Sequence, residues 1–310
     1  MAKSIRDVYG EALVRYGKDD PRVVVLDADV SSSTKSGTFK KACPERFFNA
    51  GIAEADMTSM AAGFATTGKI PFANTFAVFI TSIGLCAARA FGSYSKLPIK
   101  MVGAYGGLSD AFDGPSHHSL EDIAVMRSLP NFKVFVASDA TQTNWLVKNA
   151  IDDPSPMYLR MSRDVCPDLY KEDEVFEEGK GKIVREGTDA TVIACGLMVG
   201  NALKAADMLA EKGVSLRVVD MFCIKPLDED LIVRCAKETG AIITAEEHNM
   251  YGGLGGAVCE AMCRKGAVAK FGMVAVNDTH TECGPYADLQ KKYGIDADAI
   301  CAKVLETLGR

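Results

Sequence analysis

The stretch Arg46-Phe47-Phe48-Asn49-Ala50-Gly51-Ile52-Ala53-Glu54-Ala55-Asp56-Met57 decides the fold. Phe47 and Phe48 favour extended backbone, Gly51 frees the turn that follows, and 53–60 is rich in good helix formers. A strand therefore hands over to a helix within one short segment, and Glu54 stands at the junction. In an open α/β sheet ligands bind beyond the carboxyl ends of the strands, which is where this acid falls. A carboxylate there also suits a helix N-terminus through the dipole alone, so the rest of the chain has to separate the two roles.

Working outward, Ile5, Val8, Tyr9, Ala12 and Leu13 recur at helical spacing, with Ser4 as a cap and Arg6 on the same helix. Arg22-Val-Val-Val-Leu-Asp27 is a continuous β-branched run, as a strand buried on both faces should be, and a polar loop over 29–36 leaves its end. Beyond the Glu54 helix come a strand over 70–76, a helix over 79–94 and a strand over 99–104. The glycine-rich loop 105–118 follows and includes Asp113-Gly-Pro-Ser-His117-His118. A loop this long inside a compact domain is more often functional than idle. A helix over 120–127, a strand over 134–136, a helix over 141–151 and a strand over 157–160 complete a β/α alternation, which implies a mostly parallel sheet flanked by helices.

Pro167, the acidic run between 168 and 178, Gly179 and Gly181 interrupt the apolar periodicity. This divides the chain into domains over 1–165 and 183–310 with a linker over 166–182. The second domain repeats the α/β logic, with strands over 190–195, 216–220, 241–244 and 273–276 and helices over 198–211, 228–238, 255–264 and 298–308. Gly252-Gly253-Leu254-Gly255-Gly256 lacks the spacing of a dinucleotide fingerprint and suits a tight start to a helix.

The chain has 310 residues, 48% of them hydrophobic, and a net charge of −6, which gives no electrostatic reason to bind nucleic acid or an acidic membrane surface. Its ten cysteines are scattered in apolar contexts and read as reduced core thiols. Cys259 and Cys263 are one helical turn apart, but no second pair completes a metal site. With no apolar leader and no run near the ~18 residues of a membrane span, a cytoplasmic protein is expected.

Asp27-Ala28-Asp29, Gly51-Ile52-Ala53-Glu54, Thr75-Phe76 with Phe79, Asp113-Gly114-Pro115-Ser116-His117 and Ser128-Leu129-Pro130-Asn131 resemble, in order, the pyrimidine-binding and C-terminal domains of transketolase. The resemblance covers essentially the whole chain. It implies thiamine diphosphate as cofactor and transfer of a two-carbon ketol unit between sugars, within the carbohydrate chemistry of pentose phosphates. Glu54 matches the acid that hydrogen-bonds N1′ of the aminopyrimidine, which lets the cofactor's own imino nitrogen abstract the thiazolium proton. Phe76 and Phe79 match the aromatics that pack the pyrimidine, and Asp29 falls among the cofactor-binding positions. Asp113 and His117 match residues that bind the sugar hydroxyls and the reacting oxygen, whereas His118 is read as a bystander. Arg6, Ser33 and Arg163 fall where the family clasps a terminal phosphate, a role that suits arginine forks.

Three departures qualify the resemblance. Ser82 stands where a tyrosine often lies beside the pyrimidine, and Tyr105 where a phosphate-contacting histidine is expected. No Gly-Asp-Gly motif of the diphosphate-binding domain occurs anywhere. The chain is thus expected to be the C-terminal subunit of a split transketolase. An N-terminal partner would bind the diphosphate and Mg2+, in an assembly of two copies of each chain. The alternatives are a deoxyxylulose-phosphate-synthase-like enzyme, the β subunit of a 2-oxo acid dehydrogenase E1 component, or a non-catalytic scaffolding relative.

Overall fold

The computed structural model describes residues 4–310, which leaves Met1-Ala2-Lys3 outside the described residues. Six short, apolar strands of the first half are mutually parallel: β1 (Val23–Asp27), β2 (Phe47–Asn49), β3 (Ile70–Phe76), β4 (Lys100–Ala104), β5 (Lys133–Val136) and β6 (Met157–Arg160). The second half contributes β7 (Lys182–Arg185), β8 (Ala190–Ala194), β9 (Leu216–Asp220), β10 (Cys223–Lys225), β11 (Ala241–Asn249) and β12 (Lys270–Val276). The strands form a seven-stranded sheet ordered β10-β5-β6-β4-β3-β1-β2 and a five-stranded sheet ordered β12-β11-β8-β9-β7. Two α/β layers of mostly parallel strands flanked by helices are therefore present, as the alternation predicts.

Period-two alternation in β1 shows how the first sheet is covered. Val23 and Val25 join a core with Ile5, Tyr9 and Leu13 of the helix Ile5–Gly17, while Val24 and Leu26 join a core with Met57 and Ala61 of the helix Glu54–Thr66. The second of these cores continues into Ile193, Val219 and Leu254 of the second half, so the two sheets share buried apolar surface. The helices Met198–Ala210 and Ala297–Leu308 pack on the five-stranded sheet.

Several local expectations change. The strand that decides the fold, β2, is the edge of its sheet and pairs only with β1. At the opposite edge β10, not expected from sequence, leaves the second half and pairs antiparallel with β5; three residues carry too little periodicity to read. Strand β7 and the helix Tyr286–Lys292 were not expected either, and the polar loop over 29–36 contains the short helix Ser31–Thr34. The helix expected over 79–94 is broken into Ala77–Ser82, Leu85–Ala87 and a π-helical Ala88–Tyr94. Gly84, at the break, allows a close approach, because a Cβ there would lie 2.6 Å from the Ile80 carbonyl and 2.8 Å from the Thr58 hydroxyl. Ser4 occupies the N-cap position of the first helix without making a side-chain capping bond. All ten cysteines are free, but Cys86, Cys263 and Cys283 are exposed rather than in the core. Among the described residues no helix is long and apolar enough to cross a membrane.

Candidate active site

Glu54 opens the helix Glu54–Thr66 immediately after the β2 turn, where Gly51 adopts φ +73°. Its side chain is only 4% exposed, and its carboxylate has one polar contact, the Thr75 hydroxyl at 3.4 Å from Oε1. A buried carboxylate ordinarily gathers several donors, so this one keeps unused acceptor capacity. No side-chain cap closes the helix that Glu54 begins. Thr75 is the penultimate residue of β3 and immediately precedes Phe76, the last residue of the strand.

Phe76 and Phe79 flank the bend from β3 into the helix Ala77–Ser82, with ring centroids 6.0 Å apart. The His117 ring packs edge-on to Phe79 at 5.1 Å and to Phe76 at 5.8 Å, while Tyr105 lies 4.7 Å from Phe76 on the other side. The His117 Nδ1 is paired with the Ser116 hydroxyl at 3.0 Å, which leaves the other ring nitrogen available. Tyr105 follows β4 with φ +60°, a strained backbone for a bulky residue and one that concentrates at functional sites.

The Tyr105 ring is also the meeting point of two arginines. Arg6 lies 4.7 Å and Arg163 5.3 Å from its centroid. Arg6 Nη1 donates to the Ser33 carbonyl at 2.7 Å and to the Tyr105 hydroxyl at 2.6 Å. Its Nε, though buried, donates to no group among the described residues. Ser33 therefore contributes backbone here, in a loop anchored by Asp27, which accepts from the Val30 N–H at 2.6 Å and from the Thr34 and Ser36 hydroxyls.

Arg6, Ser33, Tyr105, Phe76, Phe79, His117 and Arg163 thus form one contact chain, and Glu54 joins it through Thr75. Asp113 borders it through Asp110, which sequence reasoning missed. Arg163 Nη1 donates to Asp110 at 2.9 Å, and burial, with Asp113 beside it, raises the Asp110 carboxyl above its ordinary range against the pull of Arg163. An acidic pair three residues apart in a glycine-rich loop was the available signal. Asp29 and Ser82 stand apart: Asp29 accepts from the Asn49 side chain at 2.7 Å, and the exposed Ser82 donates to the Val78 carbonyl of its own helix. His118 has a structural contact. It is buried and hydrogen-bonds Thr281 of the second half at 2.6 Å, because the loop turns inward at that point. A cavity of about 480 Å³ lies beside the site rather than at it, lined by Pro115, His118, Tyr251 and His280 among others. Among the described residues no group of three His, Cys, Asp or Glu side chains could hold a metal ion.

Models of two families match the chain: the transketolase pyrimidine binding domain over residues 1–167 and the transketolase C-terminal domain over residues 179–300. A putative transketolase C-terminal section from Methanocaldococcus jannaschii is 41% identical over 99% of this chain and 96% of its own length. One of the subunits of the apulose-4-phosphate transketolase of Phocaeicola vulgatus is 37% identical over 97% of this chain and 96% of its own length. A solved structure described as a split gene transketolase, inactive β4 tetramer, superposes with a TM-score of 0.90 at 44% identity, covering 100% of this chain and 99% of that one. Other relatives are longer, and the chain spans about half their length.

Proposed function

The chain belongs to the transketolase family, and we propose that it is the C-terminal subunit of a split, thiamine diphosphate-dependent transketolase acting on sugars with a terminal phosphate. The observation that carries the reading is the convergence of Glu54, the Phe76–Phe79–His117 ring cluster and the Arg6–Tyr105–Arg163 stack beyond the carboxyl ends of β2, β3, β4 and β6.

The residues fit the pyrimidine half of the cofactor. Glu54 is a buried carboxylate with acceptor capacity to spare, and its partner Thr75 precedes Phe76, whose ring lies 6.0 Å from that of Phe79. When bound, the cofactor supplies a carbon centre able to carry the transferred ketol unit. Glu54 would hold the proton at N1′ of the pyrimidine, in a water-poor setting where such a contact is strong. Phe76 and Phe79 would fix the plane of that ring. His117 would donate to the reacting oxygen of the sugar and Asp113 would bind its hydroxyls. Arg6, whose Nε has no partner among the described residues, and Arg163 would hold the terminal anion, with the Tyr105 hydroxyl adding a neutral hydrogen bond.

The second half of the cofactor site we assign to a partner chain that brings the diphosphate and Mg2+ ligands, in an assembly of two copies of each chain. The inactive β4 tetramer of the similar chain, and the naming of another relative as one subunit of its enzyme, support this division. The apulose-4-phosphate named for that relative supports a terminal phosphate but not the pentose phosphates in particular. The domain limits proposed are 1–165 and 183–310, joined over 166–182.

The test is a donor and acceptor screen of this chain co-assembled with a diphosphate-binding transketolase chain. Two-carbon transfer between phosphorylated sugars is expected. Tight, saturating assembly without transfer from any ketose would overturn the assignment.

A further inference from the structure

Loop 105–119 carries Tyr105, Asp110, Asp113 and His117 but has no regular secondary structure to hold it. Its neck closes on itself, with Gly107 N–H donating to the Ser119 carbonyl and Ser119 N–H to the Gly107 carbonyl, each at 3.0 Å. The first half adds anchors at both ends, with Gly106 N–H donating to the Met161 carbonyl at 2.9 Å and Arg163 N–H to the Ser109 hydroxyl at 3.2 Å, and a further set comes from the second half of the chain. Glu247, in β11, accepts the Leu108 N–H on Oε1 at 2.8 Å, and Gly284 N–H donates to the Ala111 carbonyl at 3.0 Å. Thr281 bonds His118, and Asn249 N–H donates to the Leu120 carbonyl at 2.7 Å.

Glu247 stands at the centre of these anchors. Its side chain is buried, and the Tyr286 hydroxyl hydrogen-bonds the same carboxyl. Arg160, at the end of β6, donates both to the Glu247 carbonyl at 2.8 Å and to the Ser119 carbonyl at 3.2 Å. The Arg160 guanidinium is fixed in turn by Asp122 at 2.6 Å. Gly107 adopts φ +70°, and a Cβ there would fall on the Glu247 carboxyl, so the loop backbone is moulded around this acid. A buried carboxyl is costly, yet this one is directed at the loop neck and not at its own sheet.

We infer that Glu247 is a positioning residue for the active site, holding the neck of loop 105–119 so that Tyr105, Asp110 and His117 stand at fixed places relative to Phe76 and Arg163. The inference rests on the proposed function for its catalytic meaning, but the clasp itself does not. The C-terminal domain thereby acts on substrate binding without touching substrate.

Backbone hydrogen exchange of the full-length chain, read by mass spectrometry, tests the clasp on Glu247→Ala and Glu247→Gln. Loss of the buried acceptor should speed exchange of the amides in 106–119 by roughly 10–100-fold in the alanine variant, with β8 and β12 unchanged. The glutamine variant keeps a carbonyl acceptor and should stay near wild type. In the assembled enzyme Glu247→Ala should raise the sugar KM about tenfold or more with a smaller change in kcat, and Glu247→Gln should rescue it. Unchanged loop exchange in the alanine variant, or equal acceleration across both sheets, overturns the inference. Failure of wild-type ketol transfer would instead count against the proposed function, since the exchange result stands without it.

Discussion

Arg6 donates to the Tyr105 hydroxyl across 2.6 Å while its guanidinium lies 4.7 Å from the centroid of the same ring, so a residue of the first helix and one after β4 hold each other in place. Arg163 stacks on the same ring at 5.3 Å. Both cations are therefore preorganised: Arg6 donates to the Ser33 carbonyl and the Tyr105 hydroxyl, and Arg163 donates to Asp110, whose carboxyl is raised above its ordinary range by burial and by Asp113. An incoming anion can take over these donors.

Charge-assisted hydrogen bonds contribute roughly 1.5–3 kcal/mol each, so Arg163→Ala should raise KM for a phosphorylated sugar by about 10–150-fold. Neutral sugars should hardly respond, and Arg6→Ala should follow the same pattern. Equal losses on charged and neutral substrates, in steady-state kinetics of the assembled enzyme, would remove the anion site from this rim. Preference of the wild type for a sulfonate over a phosphate would keep the site and change its ligand.

Substitution of Glu54 by glutamine should leave thermal unfolding nearly unchanged, because its carboxylate has a single long contact to Thr75. The value of kcat should fall by about 10²–10⁴, the size of a lost acid–base contribution. Proton exchange at the reactive carbon of bound cofactor, followed by NMR, should slow in parallel. Wild-type exchange in the variant would leave Glu54 as a helix-terminus acid and nothing more.

The isolated chain should bind thiamine diphosphate weakly and show negligible ketol transfer, because it offers only the pyrimidine half of the site. Addition of a diphosphate-binding partner should restore both. Tight magnesium-dependent binding to this chain alone, by calorimetry, would refute a shared site.

Glu247 also sets a pH dependence. Burial pushes its carboxyl up to about 7 against the pull of Arg160, with Tyr286 and Asp164 as its other titratable neighbours. The folded state therefore holds a proton that the unfolded chain releases near its ordinary value of 4.5. The resulting stability is fully present below that value and is lost as pH rises through 7. Its size is on the order of 3 kcal/mol. Asp220, raised by burial to about 6, adds to the same trend. Denaturation midpoints should decline as pH rises from 4.5 to 7 in the wild type and decline less in Glu247→Gln. Parallel profiles for the two proteins would show that Glu247 does not titrate in this window.

Much of this was legible in the sequence. Strand β1, the Gly51–Glu54 turn and the β/α alternation follow from local rules of periodicity and glycine placement, which need no distant partner. The order of the short motifs then pointed to the residues that now stand together from Arg6 to Arg163. Local rules do not reach the rest. Strand β10 has no stability of its own and exists only because β5 offers an open edge on the other half of the chain. The role of Ser33 passes through its carbonyl, which any residue could supply, so its side chain gave no signal for that contact. Asp110, His118 and Glu247 acquire their meaning from partners 53, 163 and 139 residues away, across loops whose closure no periodicity encodes. The Glu246-Glu247 pair that follows the run Ala241-Ile-Ile-Thr-Ala245 was the one trace of that interface in the sequence. The sequence by itself determined the elements and the chemical inventory. The tertiary structure decided which of those groups are desolvated together, because burial and charge proximity arise only once the two sheets share a core.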